Sequence, residues 1–216
     1  MDTLRIILLG PPGAGKGTQA KSMSESLGLV HISSGDLLRD HQNRGTELGM
    51  TARDYMKKGL LVPDNLIIGM IEERIKMEDV ESGYILDGFP RTVQQAQSLE
   101  KALENQGESI DKVANIVVSD QELIHRLGGR WICRQCQQPF HEINSPPQIE
   151  GKCDTCNGEL YQREDDTSDA VVQRIKVFGE QTNPLIEYYS TRGTLVSIDG
   201  EGSIEQVRQS LIGAVS

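Results

Sequence analysis

Aromatic side chains are scarce: phenylalanine, tryptophan and tyrosine make up 4% of the 216 residues, with a single tryptophan. Aliphatic side chains must therefore supply most of the core. No apolar run approaches the ~20 residues that cross a bilayer. The first such run, Leu4–Leu9, gives way at once to Gly10-Pro11-Pro12-Gly13. It is too short for a secretory signal and has no basic stretch ahead of it, so a cytoplasmic protein with no membrane partner is expected. Positive charge is in deficit, with 22 Lys and Arg against 32 Asp and Glu, a net charge of −10. That balance argues against a broad surface for nucleic acid or anionic lipid. An anionic ligand would have to be met by a local cluster of cations. Cysteine is missing everywhere except in one short segment, which carries Cys133, Cys136, Cys153 and Cys156.

What is present is ordinary for a soluble globular chain: 37% apolar and 25% charged residues. The length suits one core domain with insertions. Short apolar runs at Leu4–Leu9, Val30–Ser33, Tyr84–Leu86, Asn115–Val118 and Thr194–Ile198 predict strands buried on both faces. Helical patterns fall between them at Gly17–Leu27, Gly35–Asn43, Glu47–Lys58, Asp64–Met77, Thr92–Asn105, Gln121–Leu127, Ser168–Thr191 and Ser203–Leu211. Strands alternating with helices predict an α/β fold, a parallel sheet with helices on both faces. Two stretches interrupt the alternation. Ser33 to Val62 holds several helices and no strand, as a small helical insertion would. Gly129 to Asp166 loses the pattern altogether and contains every cysteine, which marks an inserted module with its own stabilising device.

Gly10-Pro11-Pro12-Gly13-Ala14-Gly15-Lys16-Gly17-Thr18 follows an apolar strand and opens a helix, the setting of a phosphate-binding loop. Glycines let backbone N–H groups turn toward phosphate oxygens, the helix N-terminus adds its positive dipole end, and Lys16 adds a full charge. The general pattern places Ser or Thr directly after the lysine. Gly17 intervenes here, so the hydroxyl of Thr18 is displaced, and magnesium is expected to be held mainly by phosphates and water. Asp87, at the end of the third strand, is suited to hold magnesium's water ligands. Arg39, Arg91, Arg126, Arg130, Arg163 and Arg174 stand at element edges, where planar guanidinium groups could meet phosphoryl oxygens.

The cysteines form two Cys-x-x-Cys pairs separated by 16 residues. Four thiolates at this spacing suit a closed, tetrahedral, structural zinc site. Iron could occupy the same sulfur set, and a disulfide pairing is the alternative that a reducing compartment disfavours. His141 lies nearby and reads as a surface or adenine-adjacent histidine.

Several ordered motifs resemble the adenylate kinases among the nucleoside monophosphate kinases: GPPGAGKGTQA (Gly10–Ala20), ISSGDLLR (Ile32–Arg39), GLLVPD (Gly59–Asp64), LDGFPRTVQQA (Leu86–Ala96), GGR (Gly128–Arg130), REDD (Arg163–Asp166) with Arg174, and Asp199–Gly200. The resemblance implies a P-loop NTPase-type fold, a parallel five-stranded sheet flanked by helices. The core would be residues 1–32, 63–128 and 167–216, with a small helical AMP-binding insertion at 33–62 and a zinc-binding lid at 129–166. It implies reversible transfer from MgATP to AMP, giving two ADP, by a monomer. Gly13, Ala14, Gly15, Lys16, Gly17 and Thr18 would hold the ATP phosphates. Arg126, Pro139, Phe140 and Gly202 would lie about the ATP base, and Arg130 would reach the ATP phosphates. Ser34, Arg39, Leu60, Leu61, Val62, Gly88, Phe89, Pro90, Arg91 and Gln95 would hold AMP, with Arg163 and Arg174 clamping phosphates near the transfer point. A cis bond before Pro90 is implied too.

Lys16, Arg91, Arg130, Arg163 and Arg174 would be the catalytic set. Gln95, with a donor and an acceptor for an adenine edge, and Ser34 point to AMP rather than UMP or CMP. A kinase for another nucleoside monophosphate is the nearest rival. A zinc-ribbon nucleic-acid-binding protein is the rival from another class, disfavoured because acidic residues outnumber basic ones across 129–166.

Overall fold

The computed structural model describes residues 3–215. Strand β1 (Leu4–Leu9) leads through the glycine-rich loop into helix α1 (Lys16–Leu27), followed by β2 (Val30–Ser33), α2 (Ser34–Asn43), α3 (Glu47–Lys57) and α4 (Asp64–Arg74). Next come β3 (Gly83–Asp87), α5 (Val93–Glu104), β4 (Lys112–Val117) and α6 (Asp120–Gly128). Three short strands follow, β5 (Arg130–Cys133), β6 (Pro139–His141) and β7 (Leu160–Tyr161). The chain ends with α7 (Ser168–Val177), α8 (Pro184–Ser190), β8 (Leu195–Asp199) and α9 (Ile204–Val215).

Five strands form one parallel sheet in the order β2-β3-β1-β4-β8. Successive side chains of a strand point to opposite faces, and both faces are covered. Ile7 and Leu9 join Tyr84, Leu86, Ile67, Leu99 and Leu185 in one core layer. Ile6 and Leu8 join Ile85, Met23, Leu123 and Leu211 in the other. That double burial is why β1 reads as an unbroken apolar run.

The structure corrects several boundaries. β4 starts at Lys112, three residues before the expected Asn115, because Val113 and Ala114 are fully buried between β1 and β8. A charged residue followed by alanine carries little strand signal. The single helix expected over Ser168–Thr191 is two helices joined by a π turn, Phe178–Thr182. Pro184 at the start of α8 has no N–H to donate, and the turn widens so that Asn183 N–H reaches Phe178 O at 2.8 Å. The helix expected to run to Met77 stops at Arg74. The patternless segment contains an antiparallel sheet, β6-β5-β7, with one strand of two residues, too short to show a period. Its buried apolar cluster is Cys133, Phe140, Cys153 and Leu160, with Trp131 against it.

Helices α2 and α3 form a helical insertion between β2 and α4. Each starts on a hydroxyl cap: Ser33 Oγ accepts from Asp36 N, and Thr46 Oγ1 from Gly49 N. This insertion touches the β5–β7 module. Arg53 Nη2 lies 3.3 Å from Glu164 Oε1, and Arg163 Nη2 lies 3.8 Å from Asp36 Oδ1.

Candidate active site

The C-terminal ends of β1, β2 and β3 open onto one rim, where the register aligns Leu8 and Ser33 with Asp87. In the glycine-rich loop Gly13 and Gly15 take φ of +87° and +89°, the left-handed region that side chains disfavour. Gly15 immediately precedes α1, so the loop's N–H groups and the helix N-terminus face the same space. Lys16 Nζ donates to Gly10 O at 2.7 Å and Pro11 O at 2.9 Å, bridging the loop's own carbonyls. Gly17 sits against Asp87: a Cβ there would lie 3.3 Å from Asp87 Oδ2.

Burial pushes the Lys16 ammonium down to about 8; Asp87 opposes this, and Arg91, Arg174 and Arg130 add to it. Burial alone would raise the Asp87 carboxyl. A hydrogen bond from His31 Nε2, 3.3 Å away, and the Lys16 charge outweigh it and keep Asp87 ionised below the usual range. Burial lowers Arg91 to about 10, with Arg174 repelling it. Burial likewise lowers Arg163 to about 10, with Arg39 and Arg130 repelling it. Lys16, Arg39, Arg91, Arg130, Arg163 and Arg174 therefore stand close enough to feel one another, while Arg126 stands apart from them.

Carboxylates hold them in place. Asp166, whose side chain is 0% exposed, accepts from Arg130 Nε at 2.7 Å through Oδ2 and from Arg130 Nη2 through Oδ1. The same Oδ1 accepts from Arg174 Nη1 at 2.9 Å. Arg174 Nη1 also meets Asp165 Oδ2 at 3.0 Å and donates to Asp165 O at 2.9 Å. Arg39 Nη2 is 2.6 Å from Asp36 Oδ1. The Nε atoms of Arg39 and Arg163 are buried with no hydrogen-bond partner among the described residues. Buried donors of this kind carry a desolvation cost that an anion can remove.

Around the second rim of the site, Gly88 O accepts from Ser34 Oγ and from Arg91 Nε, both at 2.7 Å. The Phe89–Pro90 bond is cis. Gln95, 1% exposed, accepts from Arg91 N at 2.7 Å through Oε1 and donates from Nε2 to Asp64 Oδ1 at 2.6 Å. Each end of its amide keeps one further bonding position. Val62 is buried and Leu60 exposed, with Leu61 between. On the far side, Arg126 Nη2 donates to Gly200 O at 3.0 Å and Arg126 Nε pairs with Glu122 at 2.7 Å. Gly202 is exposed in the loop that follows. Pro139 and Phe140 pair with Ile132 and Trp131 across β5–β6. The Phe140 ring is buried in the module's own core.

Reading the sequence missed Asp36, Asp64, Asp165, Asp166 and His31. Four of the five lie inside or at the end of the quoted motifs, and for Asp36, Asp165 and Asp166 the available signal was their place beside arginines. His141 is not on the surface: it is 9% exposed and tied into the chain at both ring nitrogens.

The four Sγ atoms lie within 4.8 Å of one another, and all four cysteines are free thiols. Cys133–Cys156 and Cys136–Cys153 sulfur distances are 3.4 and 3.5 Å, near the ~3.8 Å edge of a tetrahedron with 2.3 Å metal–sulfur bonds. The two knuckles match each other. Gln137 and Asn157 take φ of 57° and 58°, and backbone N–H groups of Gln135, Cys136, Thr155 and Cys156 point at Cys133 and Cys153 sulfur. Such donors stabilise thiolates, the form that binds a metal ion.

A phosphate loop, a strand-end carboxylate and a ring of carboxylate-held arginines define a P-loop phosphotransferase. Comparison with known proteins narrows this. The family model described as adenylate kinase matches residues 8–194. The chain is 50% identical to the adenylate kinase of Caldicellulosiruptor bescii over 98% of its length and 99% of the relative's. It is 50% identical to that of Methanothrix thermoacetophila over 94% of both chains, and 51% identical to that of Alkaliphilus oremlandii over 97% of both. The chain belongs to the adenylate kinase family.

The lowered Lys16 value has a direct readout. In nucleotide-free protein the Lys16 ammonium, followed by ¹³C NMR, titrates near pH 8, and a midpoint above about 10 would contradict the burial described. Between those values the unfolded chain holds the proton longer, so the folded protein gains stability as pH rises.

Proposed function

We propose that the protein catalyses the reversible reaction MgATP + AMP to 2 ADP. The observation that carries this reading is the convergence of Lys16, Arg91, Arg130, Arg163 and Arg174 on the rim marked by Asp87. An AMP phosphate oxygen forms a bond to the γ-phosphorus of ATP in line as the bond from that phosphorus to the β–γ bridging oxygen breaks. The attacking oxygen is ionised at neutral pH, so the site needs no general base. Catalysis is positioning and charge stabilisation.

The chain's residues divide this work. Loop residues Gly13 to Thr18 hold the ATP phosphates, and Lys16 leaves the Gly10 and Pro11 carbonyls to follow the phosphoryl group. Ser34, Arg39, Leu60, Leu61, Val62, the Gly88–Arg91 turn and Gln95 hold AMP. Asp64 and the Arg91 N–H orient the Gln95 amide so that its free donor and acceptor match an adenine edge. Arg126, the backbone of Pro139 and Phe140, and Gly202 hold the ATP base. Asp165 and Asp166 aim Arg130 and Arg174. Magnesium bound with ATP supplies charge neutralisation, and the Asp87 carboxylate, kept ionised by His31, is placed to hold its water ligands.

Segments 33–62 and 129–166 close over the core about hinges near Ser33, Pro63, Gly128 and Thr167, excluding water as a competing acceptor. Cys133, Cys136, Cys153 and Cys156 hold a structural zinc, which compensates for a module whose own core is too small to fold unaided. The protein acts as a cytoplasmic monomer without nucleic-acid or membrane partners.

With MgATP as donor, AMP is expected to exceed UMP, CMP and GMP by at least about tenfold in kcat/KM; a preference for UMP or CMP would refute the AMP assignment. Elemental analysis is expected to find about one zinc per chain. Chelation should unfold 129–166 at a lower temperature than the core, and protein that contains no metal and melts in one step would remove the zinc assignment.

A further inference from the structure

Between α2–α3 and the cysteine module lies a crevice of about 500 Å³. None of Lys16, Ser34, Asp87, Arg91 or Gln95 lines it, so it is not the space in which transfer takes place. Its walls carry five cations, Arg39, Arg53, Lys57, Arg134 and Arg163, against two carboxylates, Glu164 and Asp165. That local excess runs against the net charge of −10 of the whole chain. Both carboxylates are already engaged: Glu164 Oε1 lies 3.3 Å from Arg53 Nη2, and Asp165 Oδ2 lies 3.0 Å from Arg174 Nη1. Lys57, one turn along α3 from Arg53, forms no ion pair among the described residues. On the opposite wall Arg134 Nε meets Glu159 Oε2 at 3.2 Å, and its guanidinium lies over the Tyr161 ring, 4.4 Å from the centroid. Arg53, Lys57 and Arg134 are exposed. Exposed pairs of this kind are weak and screened by salt, so an anion with several charges can displace them.

We propose that this crevice is a second anion site, which takes a polyphosphate group and bridges α3 to the cysteine module. Arg53 and Lys57 are the contribution of α3, and Arg134 is that of the module. Like charges facing one another across a gap repel, and an anion between them neutralises both walls at once. Guanidinium groups meet phosphate oxygens in pairs, and Lys57 adds a compact charge. A chain of phosphates presents charge at both of its ends, whereas a single phosphate presents it at one point. The volume falls within the ~300–1,000 Å³ of small-ligand sites. Tyr161, Met50 and Met56 also line the crevice and offer a nucleoside something to pack against. Inorganic polyphosphate and an uncomplexed nucleoside triphosphate therefore both carry the required chemistry. Arg39 and Arg163 border the transfer site as well, so the three cations that belong to the crevice alone are the ones to change.

The test is calorimetric titration with inorganic tripolyphosphate, without magnesium, of protein whose transfer site is filled beforehand by a dinucleotide of two adenosines joined through five phosphates. One tripolyphosphate per chain is expected to bind. R53A/K57A should weaken it about tenfold or more, and R134A, on the opposite wall, about threefold or more, with affinity for the dinucleotide within about twofold of the parent in each. R44A removes an exposed cation outside the crevice and should leave tripolyphosphate binding within about twofold. The proposal is overturned if the filled protein binds no tripolyphosphate, if R53A/K57A or R134A binds it as the parent does, or if R44A weakens it as much as they do. Uncomplexed ATP, titrated in the same way, separates the two sources. Binding about fivefold or more tighter than that of tripolyphosphate assigns the site to a nucleotide, and equal binding assigns it to the polyphosphate group alone. If the dinucleotide itself does not bind, the transfer-site reading fails, and the same comparison of parent and variants on nucleotide-free protein decides the crevice.

Discussion

Cations brought together out of water repel one another and lose hydration, and this site depends on how that cost is met. Burial and mutual repulsion pull Lys16 down to about 8 and Arg91 and Arg163 down to about 10. What keeps the cluster in place is a set of carboxylates, above all Asp166, wholly enclosed and bonded to both Arg130 and Arg174. Removing one partner from a buried ion pair costs about 3–5 kcal/mol because the other charge is left unpaired. A chain with a net charge of −10 can therefore present cations to phosphate in its interior, since Arg39, Arg130 and Arg174 are each held by a nearby acid.

The parallel sheet makes that arrangement possible. β1, β2 and β3 end together, so the glycine loop, Ser34 and Asp87 reach one rim from three neighbouring strands. Burial of both sheet faces fixes those strand ends rigidly, as electrostatic preorganisation requires. Gly17 beside Asp87 shows how closely the parts fit. The residue that departs from the general loop pattern is one whose Cβ would lie 3.3 Å from that carboxylate. Helices α2–α3 and the cysteine module lie outside this frame and touch each other through Arg53–Glu164.

The sheet was largely legible in the sequence because its strands are apolar on both sides. Lys112–Ala114 escaped because charge and alanine mask a buried strand. Pro184 was visible, but its effect, a π turn rather than a continuous helix, depends on how the chain refits around a missing donor. The phosphate loop, the arginines and the cysteine pairs were readable because their chemistry is tied to residue type and spacing. The acids that aim the arginines were not, since an aspartate in a charged motif looks the same whether solvated or enclosed. The burial of Phe140 and His141 was not legible for a related reason: burial in a module of 38 residues, 129–166, depends on folding around the cysteines, which leaves no periodic trace.

The most direct test is the rate of transfer between ATP and AMP in D166N, in which the enclosed carboxylate is replaced by a neutral amide of the same shape. If carboxylate-held arginines are what the site depends on, kcat should fall by at least about tenfold while the far-ultraviolet spectrum is unchanged. A folded D166N enzyme that turns over within about twofold of the parent rate would contradict the account.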